Sequence, residues 1–253
     1  PSGGIFELRK AIADYLYQFR GMSVSPNQII VGAGTEYLYG LIIQLLGRES
    51  VYGVENPGYQ KIQHIYDAYQ VKCCYIDMDE SGVSIDSLEN SGADVVHISP
   101  SHHFPTGTPA SRRYELLGWA AKQEGRYIIE DEYDSEFRLV GNPIPALQSI
   151  DASDKVIYMN TFSKSLSSTI RISYMVLPIP LMVRYNYVLS FYACTVSNFD
   201  QYTLTRFIQE GYLEKHINRM RKFYRNSRDR ILSCIRNHRL YPQVTIKEEN
   251  AGL

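Results

Sequence analysis

The segment QIIVGAGTEYLYGLIIQLL, residues 28–46, has the pattern that decides the fold. Residues 28–34 are a short apolar run that ends in a glycine-rich turn, which predicts a buried strand. Residues 35–46 then repeat apolar side chains at helical spacing, which predicts a helix. A strand that passes through a glycine turn directly into a helix is typical of α/β proteins.

The same alternation continues along the chain. Helices are predicted at residues 5–19, 58–69 and 111–125, and again from about 198 to about 238 with a break at Gly211. Apolar runs between the helices predict strands at SVYGVE, VKCCYI, DVVHIS, RYIIED, KVIYMNTF and RISYMVLP. This order predicts a three-layer α/β/α fold with a mainly parallel mixed sheet and a helical C-terminal segment. Ligands of such sheets collect at the carboxyl ends of the strands.

The composition is that of an ordinary globular protein. Of its 253 residues, 44% are hydrophobic and 21% are charged, and the formal net charge is −1. A charge so close to zero argues against affinity of the whole chain for nucleic acid or an anionic membrane. No apolar run approaches the roughly 20 residues that span a bilayer, and the first residues lack the apolar region of a signal peptide. Four cysteines without metal-ligand spacing predict reduced thiols and a cytoplasmic protein.

The basic segment LEKHINRMRKFYRNSRDRILSCIRNH, residues 213–238, has two interpretations. Its lysines and arginines could bind nucleic acid. A helical stripe of apolar residues favours instead a packed helix with a solvated basic face, and the stripe consists of Leu213, Ile217, Met220, Tyr224, Ile231 and Ile235.

A hydroxyl-rich loop follows the predicted strand KVIYMN. The segment NTFSKSLSSTIRISY, residues 160–174, places Lys164 and Arg171 among serines and threonines. The segment is either a polar surface loop or a cofactor site, in which the lysine bonds the cofactor and the loop forms a cradle for the cofactor's phosphate. A lysine amine forms a Schiff base when it is neutral, which burial and neighbouring cations favour. The hydroxyls of Thr161 and Ser163 and the guanidinium of Arg171 are suited to phosphate.

Two other turns at predicted strand ends suit a ligand. VGAGTE, residues 31–36, puts glycines at the start of a helix, where free N–H groups attract phosphate, although such a turn is as often only a tight turn. SPSHHFPTGTP, residues 99–109, is stiffened by prolines and can hold a side chain over a ligand. A metal site at His102 and His103 is the less favoured alternative, because no further histidine or cysteine cluster accompanies them.

The segment YIIEDEYDSEF, residues 127–137, ends an apolar strand with five carboxylates, most of which we expect to be solvated. One buried aspartate among them could keep a ring nitrogen protonated, and a metal site is a further alternative. Taken together, the turns contain a phosphate cradle, an acid for a pyridine nitrogen and a lysine for an aldehyde. That set predicts pyridoxal 5′-phosphate as cofactor and no metal.

On these residues the chain resembles fold type I pyridoxal-phosphate proteins of the aspartate aminotransferase-like superfamily. It is most similar to the aminotransferase-like domain of MocR-type GntR transcription regulators. The motifs that carry the resemblance are GGIFELRKAIADYL, VGAGTEYLYGLI, NPGYQ, SPSHHFPTGTPASRRYELLGWA, IIEDEYDSEFR, TFSKSLSSTIRISYMVLP and EGYLEKHINRMRKFYRNSRD.

The resemblance implies a role for each site residue. Lys164 would form the internal aldimine, and Asp131 would keep the pyridine nitrogen protonated. Tyr133 would hydrogen-bond the phenolic oxygen of the ring, Tyr59 would stack on the ring face, and His102 would lie near the ring. The residues that would hold the phosphate are Gly34, Thr35, Thr161, Ser163 and Arg171.

Some positions depart from the family pattern. His103 stands where a glutamine is usual, and Lys61 stands where some members have an arginine that receives a substrate carboxylate. Residues 1–253 correspond to the large domain, with the segment 198–238 leading to a C-terminal subdomain that the sequence lacks. The resemblance also implies an N-terminal winged helix, which we expect to lie outside residues 1–253.

Three functions fit the sequence. The resemblance favours the effector-sensing module of a regulator, which would bind a small amino compound or amino acid and reach DNA only through the missing winged helix. A pyridoxal-phosphate-dependent aminotransferase, which turns over an amino acid and a keto acid, is the alternative. A scaffold without catalysis is disfavoured because the site residues are all present. In this superfamily the site forms between two subunits, which implies a homodimer.

Overall fold

The computed structural model describes residues 2–139 and 144–246. Within them, eight strands form a single sheet: β1 (Ile29–Gly32), β2 (Val51–Asn56), β3 (Lys72–Asp79), β4 (Gly82–Val83), β5 (Val95–Ile98), β6 (Tyr127–Glu132), β7 (Val156–Thr161) and β8 (Ser173–Val176). The spatial order is β1-β8-β7-β6-β5-β2-β3-β4. The contiguous strands from β7 to β3 pair in parallel, whereas β8 is antiparallel to both β1 and β7. The predicted α/β class with a mainly parallel mixed sheet is confirmed.

Helices cover both faces of the sheet. They are α1 (Phe6–Arg20), α2 (Thr35–Leu46), α3 (Gln60–Ala68), α4 (Ile85–Asn90), α5 (Arg113–Ala121), α6 (Leu147–Ile150), α7 (Phe162–Ser165), α8 (Ile179–Val188), α9 (Asn198–Gln209) and α10 (Tyr212–Arg236). Of these, α2, α3 and α8 pack on one face. The other face carries α1, α9 and the start of α10 over one half, and α4 and α5 over the other. None of the helices in the described ranges is long and apolar enough to cross a membrane.

Two glycines end helices where the sequence predicts. Gly21 caps α1 with a φ of 64°, and Gly211 separates α9 from α10 with a φ of 74°. Both values lie in the left-handed region, which glycine adopts without steric cost. Five elements lie outside the sequence prediction, namely β4, α4, α6, α7 and α8.

The apolar stripe of α10 is buried only in its first half. Leu213 and Ile217 are 2% and 4% exposed and join the core, whereas Ile231 is 60% exposed. The prediction of a core-facing stripe along the whole helix is therefore wrong at Ile231. Beyond its start the helix contacts the segment after β6, where Arg221 and Arg225 donate to the carbonyls of Glu136 and Leu139.

The topology brings several strand ends to one edge of the sheet. Strands β2, β5, β6 and β7 run in the same direction, and β1 shares that direction because it is antiparallel to β8. The start of β8 lies at this edge too, since Ser173 pairs with both Thr161 and Gly32. Turns that are far apart in the sequence thus meet in one place.

Candidate cofactor site

All ten predicted site residues belong to turns at that one edge, or to the last residues of the strands that reach it. The turns follow β1, β2, β5, β6 and β7, and one precedes β8. The residues, in chain order, are Gly34, Thr35, Tyr59, His102, Asp131, Tyr133, Thr161, Ser163, Lys164 and Arg171. Their roles remain predictions, but their common edge follows from the pairing of the strands.

The glycine turn after β1 lies directly against Arg171. Gly34 is the N-cap of α2 and has a φ of 95°. A Cβ built on it would lie 2.7 Å from Nη2 of Arg171, so only glycine fits this turn while the guanidinium stays in place. Thr35 begins α2, whose first N–H groups point towards the same edge. The result is a concave, cationic turn at a helix N-terminus, which suits a phosphate.

The Arg171 guanidinium already has an anionic neighbour within the chain. Its Nη2 donates to Oε2 of Glu36 at 2.8 Å, and the Lys61 ammonium pairs with the other oxygen of the same carboxylate. The hydrogen bond from Lys61 lowers the pKa of Glu36, which therefore stays ionised at neutral pH. Glu36 is not among the residues predicted from the sequence, although an acid in the first turn of a helix after a glycine turn is a recognisable signal.

Hydroxyl groups tie the lysine loop to β8. The side chain of Thr161 accepts from the N–H of Ser163 at 3.2 Å and from the hydroxyl of Ser173 at 2.9 Å. The Ser163 hydroxyl donates to the carbonyl of Ile170 at 2.8 Å. These hydrogen bonds join the two ends of the loop. The loop carries two cations, Lys164 and Arg171.

Lys164 lies in the single-turn helix α7 and is exposed. A neutral lysine amine was expected from burial, but the structure leaves this residue exposed. The neighbouring cation, Arg171, lies on the same closed loop. The lysine is therefore accessible to an aldehyde that reaches this edge of the sheet.

Asp131 is buried at the end of β6 and is held from two sides. The phenol of Tyr39, from α2, donates to its Oδ2, and Nε2 of His97, from β5, lies 3.3 Å from the same oxygen. Nδ1 of His97 lies 2.7 Å from the hydroxyl of Tyr66. With Asp131 as a carboxylate, the donor and acceptor roles of these four side chains are all consistent. The Tyr66 hydroxyl donates to Nδ1 of His97, and both Nε2–H of His97 and the Tyr39 hydroxyl donate to Asp131.

The pKa values of the two phenols support that assignment. Burial raises the pKa of Tyr39 well above its usual value, and the nearby Asp131 charge adds to the effect. Burial also raises the pKa of Tyr66. Both phenols are therefore neutral donors. Tyr39 and His97 were missed in the sequence because nothing local distinguishes them from core side chains.

The five carboxylates that end β6 are all buried, so the prediction that most of them are solvated is wrong. Alternation along the strand sends Asp131 to the α2 face and its neighbours Glu130 and Glu132 to the opposite face. Glu130 accepts from the first N–H groups of α6, and Glu132 lies 3.6 Å from the buried guanidinium of Arg20. Burial raises the pKa of Glu130 to about 7.

The aromatic residues of the edge surround the same space. Tyr59 is 54% exposed and meets Phe104 edge to face, with ring centroids 6.0 Å apart. Tyr133 stacks on His102 at 6.1 Å and donates to the backbone carbonyl of His102 at 3.0 Å. Nδ1 of His102 pairs with Asp134. Tyr133 therefore fixes the turn that carries His102.

A buried pair lies beneath this turn. His103 and Glu55 are almost fully buried, and Nε2 of His103 lies 3.6 Å from Oε2 of Glu55. Burial raises the pKa of Glu55 to about 8 and lowers the pKa of His103 to about 4, so both side chains are neutral near pH 7. Glu55 also accepts from the N–H of Ser99 at 3.1 Å and so joins the end of β2 to the turn after β5.

These donors fit pyridoxal 5′-phosphate. A Cβ on Gly34 would lie 2.7 Å from the Arg171 guanidinium, so the turn lies directly against a cation that can pair with a phosphate. Oδ2 of Asp131 carries both protein hydrogen bonds, and this buried acid can face a protonated ring nitrogen. Lys164 supplies an accessible amine. The residues present thus match a phosphate, a pyridine nitrogen and an aldehyde.

Comparison with known proteins decides the family. The chain matches the family described as aminotransferase class I and II over residues 1–250. The chain belongs to the aminotransferase class I and II family. This membership implies pyridoxal 5′-phosphate as cofactor, and it confirms the cofactor and the superfamily predicted from the sequence.

Among similar members of this family are helix-turn-helix (HTH) regulators. The chain is 44% identical over 252 residues to the uncharacterized HTH-type transcriptional regulator YdeL of Bacillus subtilis, and the match covers 99% of the chain and 54% of that protein. It is 31% identical to the HTH-type pyridoxine biosynthesis transcriptional regulator PdxR of Corynebacterium glutamicum, over 100% of the chain and 55% of that protein. The chain therefore spans about half the length of the regulators that it matches.

An aminotransferase structure has the same fold. The multiple substrate aminotransferase of Thermococcus profundus superposes with a TM-score of 0.84 at 26% identity, over 99% of this chain and 65% of that chain. The family, the fold class and the similarity to regulators of the MocR type thus agree with the sequence prediction.

Proposed function

We propose that this chain is the cofactor-binding and effector-sensing part of a helix-turn-helix transcription regulator. The observation that carries the proposal is the extent and degree of similarity. Identity to a regulator reaches 44% over 99% of the chain, whereas identity to the aminotransferase of known structure is 26% over the same share. In this proposal the chain binds pyridoxal 5′-phosphate and senses a small amino compound or amino acid.

The proposed roles follow the chemistry of the residues at the sheet edge. Bound pyridoxal 5′-phosphate supplies an aldehyde that bonds amines and a ring that withdraws electrons. Lys164 would provide the amine for that aldehyde, and the Asp131 carboxylate would accept a hydrogen bond from the protonated ring nitrogen. Tyr133 would donate to the ring oxygen in place of the His102 carbonyl to which it donates in this structure, Tyr59 would cover the ring, and His102 would lie beside it. The phosphate is held by Gly34, Thr35, Thr161, Ser163 and Arg171.

The buried relay behind Asp131 supports its role. Two donors on Oδ2 stabilise a carboxylate that is otherwise removed from water, and a carboxylate is what a protonated ring nitrogen requires. The exposed position of Lys164 lets an incoming amine compete with the lysine for the aldehyde. Exchange of one amine for another, rather than turnover, is all that a sensor needs.

The partners belong to the same proposal. We propose that the protein acts as a homodimer, that residues 1–253 form the large domain of the aminotransferase fold, and that DNA is bound by a separate helix-turn-helix domain of the kind named in the regulators. A cytoplasmic location is part of this proposal, because a regulator of transcription acts there.

A second candidate is supported by the structural similarity. The likeness to an aminotransferase, with a TM-score of 0.84, favours an enzyme that transfers an amino group between an amino acid and a keto acid. In that case Lys164 would also act as the base and acid that moves a proton between carbon atoms during the transfer.

One experiment separates the two functions. The intact protein is loaded with pyridoxal 5′-phosphate, reduced with borohydride and digested, and the modified lysine is identified by mass spectrometry. We expect the label on Lys164 and its loss in Lys164→Ala. Amino compounds are then titrated while absorbance and keto-acid release are followed.

The outcomes are distinct. A regulator gives an absorbance change at saturation without sustained keto-acid release, whereas continued release over many turnovers establishes the aminotransferase. A label on another lysine, such as Lys61 or Lys155, would refute the assigned site. No binding of the cofactor at all would refute both functions.

A further inference from the structure

A carboxylate of the chain itself lies inside the proposed phosphate cradle. Oε2 of Glu36 is 2.8 Å from Nη2 of Arg171, and the Lys61 ammonium pairs with the second carboxylate oxygen. The same Oε2 lies 3.4 Å from the position that a Cβ on Gly34 would take, and the guanidinium lies on the same side of that glycine. The glycine turn, the arginine and this carboxylate are therefore in mutual contact.

The position is favourable for an anion for two reasons. Glu36 is in the first turn of α2, where the helix dipole stabilises negative charge. It is also the shared partner of two cations, and the hydrogen bonds between them lower the pKa of Glu36 and raise the pKa of Lys61. These are the same influences that would hold a phosphate at this turn.

We propose that Glu36 competes with the cofactor phosphate for Arg171 and thereby sets the affinity for pyridoxal 5′-phosphate. This inference rests on the proposed function. The three side chains carry a net charge of +1, because Glu36 neutralises one of the two cations. Removing the Glu36 charge leaves +2 and removes the repulsion between the carboxylate and a doubly charged phosphate.

The displacement of Glu36 needs little free energy. Its side chain is 39% exposed, and those of Lys61 and Arg171 are each 52% exposed. Ion pairs this exposed contribute little to stability, and water solvates a released carboxylate. Glu36 can therefore leave Arg171 and remain with Lys61 when a phosphate binds. Displacement of Glu36 therefore weakens binding of the phosphate only, because Glu36 does not compete with the ring or the aldehyde for a partner.

That selectivity defines the test. Dissociation constants for pyridoxal 5′-phosphate and for pyridoxal, which lacks the phosphate, are measured on the intact protein by absorbance or fluorescence titration. The variants are Glu36→Gln, which keeps the shape of the side chain, and Glu36→Ala, which removes it. Glu89→Gln is the matched control. Glu89 lies in α4, outside the proposed site, and also bridges a lysine and an arginine, Lys122 and Arg126.

We expect Glu36→Gln and Glu36→Ala to tighten binding of pyridoxal 5′-phosphate about tenfold at low salt, as charges a few ångströms apart in water predict. The gain should fall to roughly threefold or less at physiological ionic strength, because salt screens exposed charges. Binding of pyridoxal should change by less than about twofold in either variant. The control should leave both constants unchanged.

Other outcomes overturn the inference in recognisable ways. Unchanged or weaker binding of pyridoxal 5′-phosphate in both variants means that Glu36 does not compete, and a loss confined to Glu36→Ala means that it orients Arg171 instead. Equal tightening for pyridoxal excludes competition for the phosphate. If the wild-type protein binds neither compound, the proposed function fails, and this inference fails with it.

Discussion

Asp131 accepts one of its two internal hydrogen bonds from the phenol of Tyr39, and this bond can be deleted without opening a cavity. Tyr39→Phe removes only the hydroxyl, and both side chains are buried, at 5% exposure for Tyr39 and 7% for Asp131. The carboxylate then keeps a single internal donor, Nε2 of His97 at 3.3 Å. The change tests whether Asp131 is ionised inside the protein, as its proposed role requires.

The magnitude follows from the kind of hydrogen bond. A hydrogen bond to a charged group contributes about 1.5–3 kcal/mol, whereas one between neutral groups contributes about 1 kcal/mol. Tyr66→Phe is the matched control, because it deletes an equally buried hydroxyl whose partner is a ring nitrogen, Nδ1 of His97 at 2.7 Å, and not a carboxylate. We therefore expect Tyr39→Phe to lower the free energy of unfolding by about 2 kcal/mol and Tyr66→Phe by about 1 kcal/mol.

The assay is urea denaturation at neutral pH, followed by fluorescence and circular dichroism on the protein without added cofactor. A double-mutant cycle with Asp131→Asn isolates the energy that couples Tyr39 to the charge. We expect that coupling to exceed 1 kcal/mol. Equal losses for the two tyrosine variants, or a coupling near zero, would mean that Asp131 is not an anion held by Tyr39, and the argument for its role would fail.

Three further changes test other parts of the structure. Gly34→Ala should weaken binding of pyridoxal 5′-phosphate at least tenfold, because its Cβ would lie 2.7 Å from the Arg171 guanidinium. The control Gly47→Ala has a similar φ of 102° and nothing within 4 Å of its Cβ, so it should reduce stability without affecting binding. An equal loss of binding in the two variants would contradict this prediction. Arg20→Gln should lower the free energy of unfolding by about 3–5 kcal/mol in thermal or urea denaturation, because it leaves buried carboxylates without their cation. The control Arg206→Gln, in an exposed ion pair, should lower it by less than about 0.5 kcal/mol. Similar losses in the two variants would contradict the buried network. Burial raises the pKa of Glu55 from 4.5 to about 8, so its contribution to stability should fall as pH rises through that range, by at most about 1.4 kcal/mol per pH unit. His103, whose pKa is lowered from 6.5 to about 4, opposes this fall below pH 6.5 but not above it. Glu55→Gln should flatten this fall in urea titrations between pH 5 and 8, and an unchanged slope would assign it to other groups.

Local patterns in the sequence determined the layers of the fold and the edge at which to look. The apolar run and glycine turn at residues 28–34 gave β1 and the start of α2, and Gly21 and Gly211 ended their helices as predicted. These features depend on backbone conformation and on periodicity, which neighbouring residues settle by themselves. The motif residues of the site were likewise accessible to sequence reasoning, because each follows a strand whose end could be predicted.

The tertiary structure decided what those residues contact. Five carboxylates within seven residues predict a solvated segment, but the structure buries all of them. Alternation along β6 sends Glu130 and Glu132 to the face of α1 and α6 and Asp131 to the face of α2, so they meet different partners. Tyr39 and His97 became the partners of Asp131 only because α2 and β5 pack against the end of β6.

The same distinction holds at the phosphate cradle. The sequence by itself determined a glycine turn at a helix start and a loop with a lysine and an arginine, since both are local. Only the pairing of β1 with β8 brings Arg171 to Gly34 and Glu36, which are more than a hundred residues away along the chain. Charge interactions act across space within a few ångströms, so the neighbours of a charged group are fixed by the fold and not by its position in the sequence.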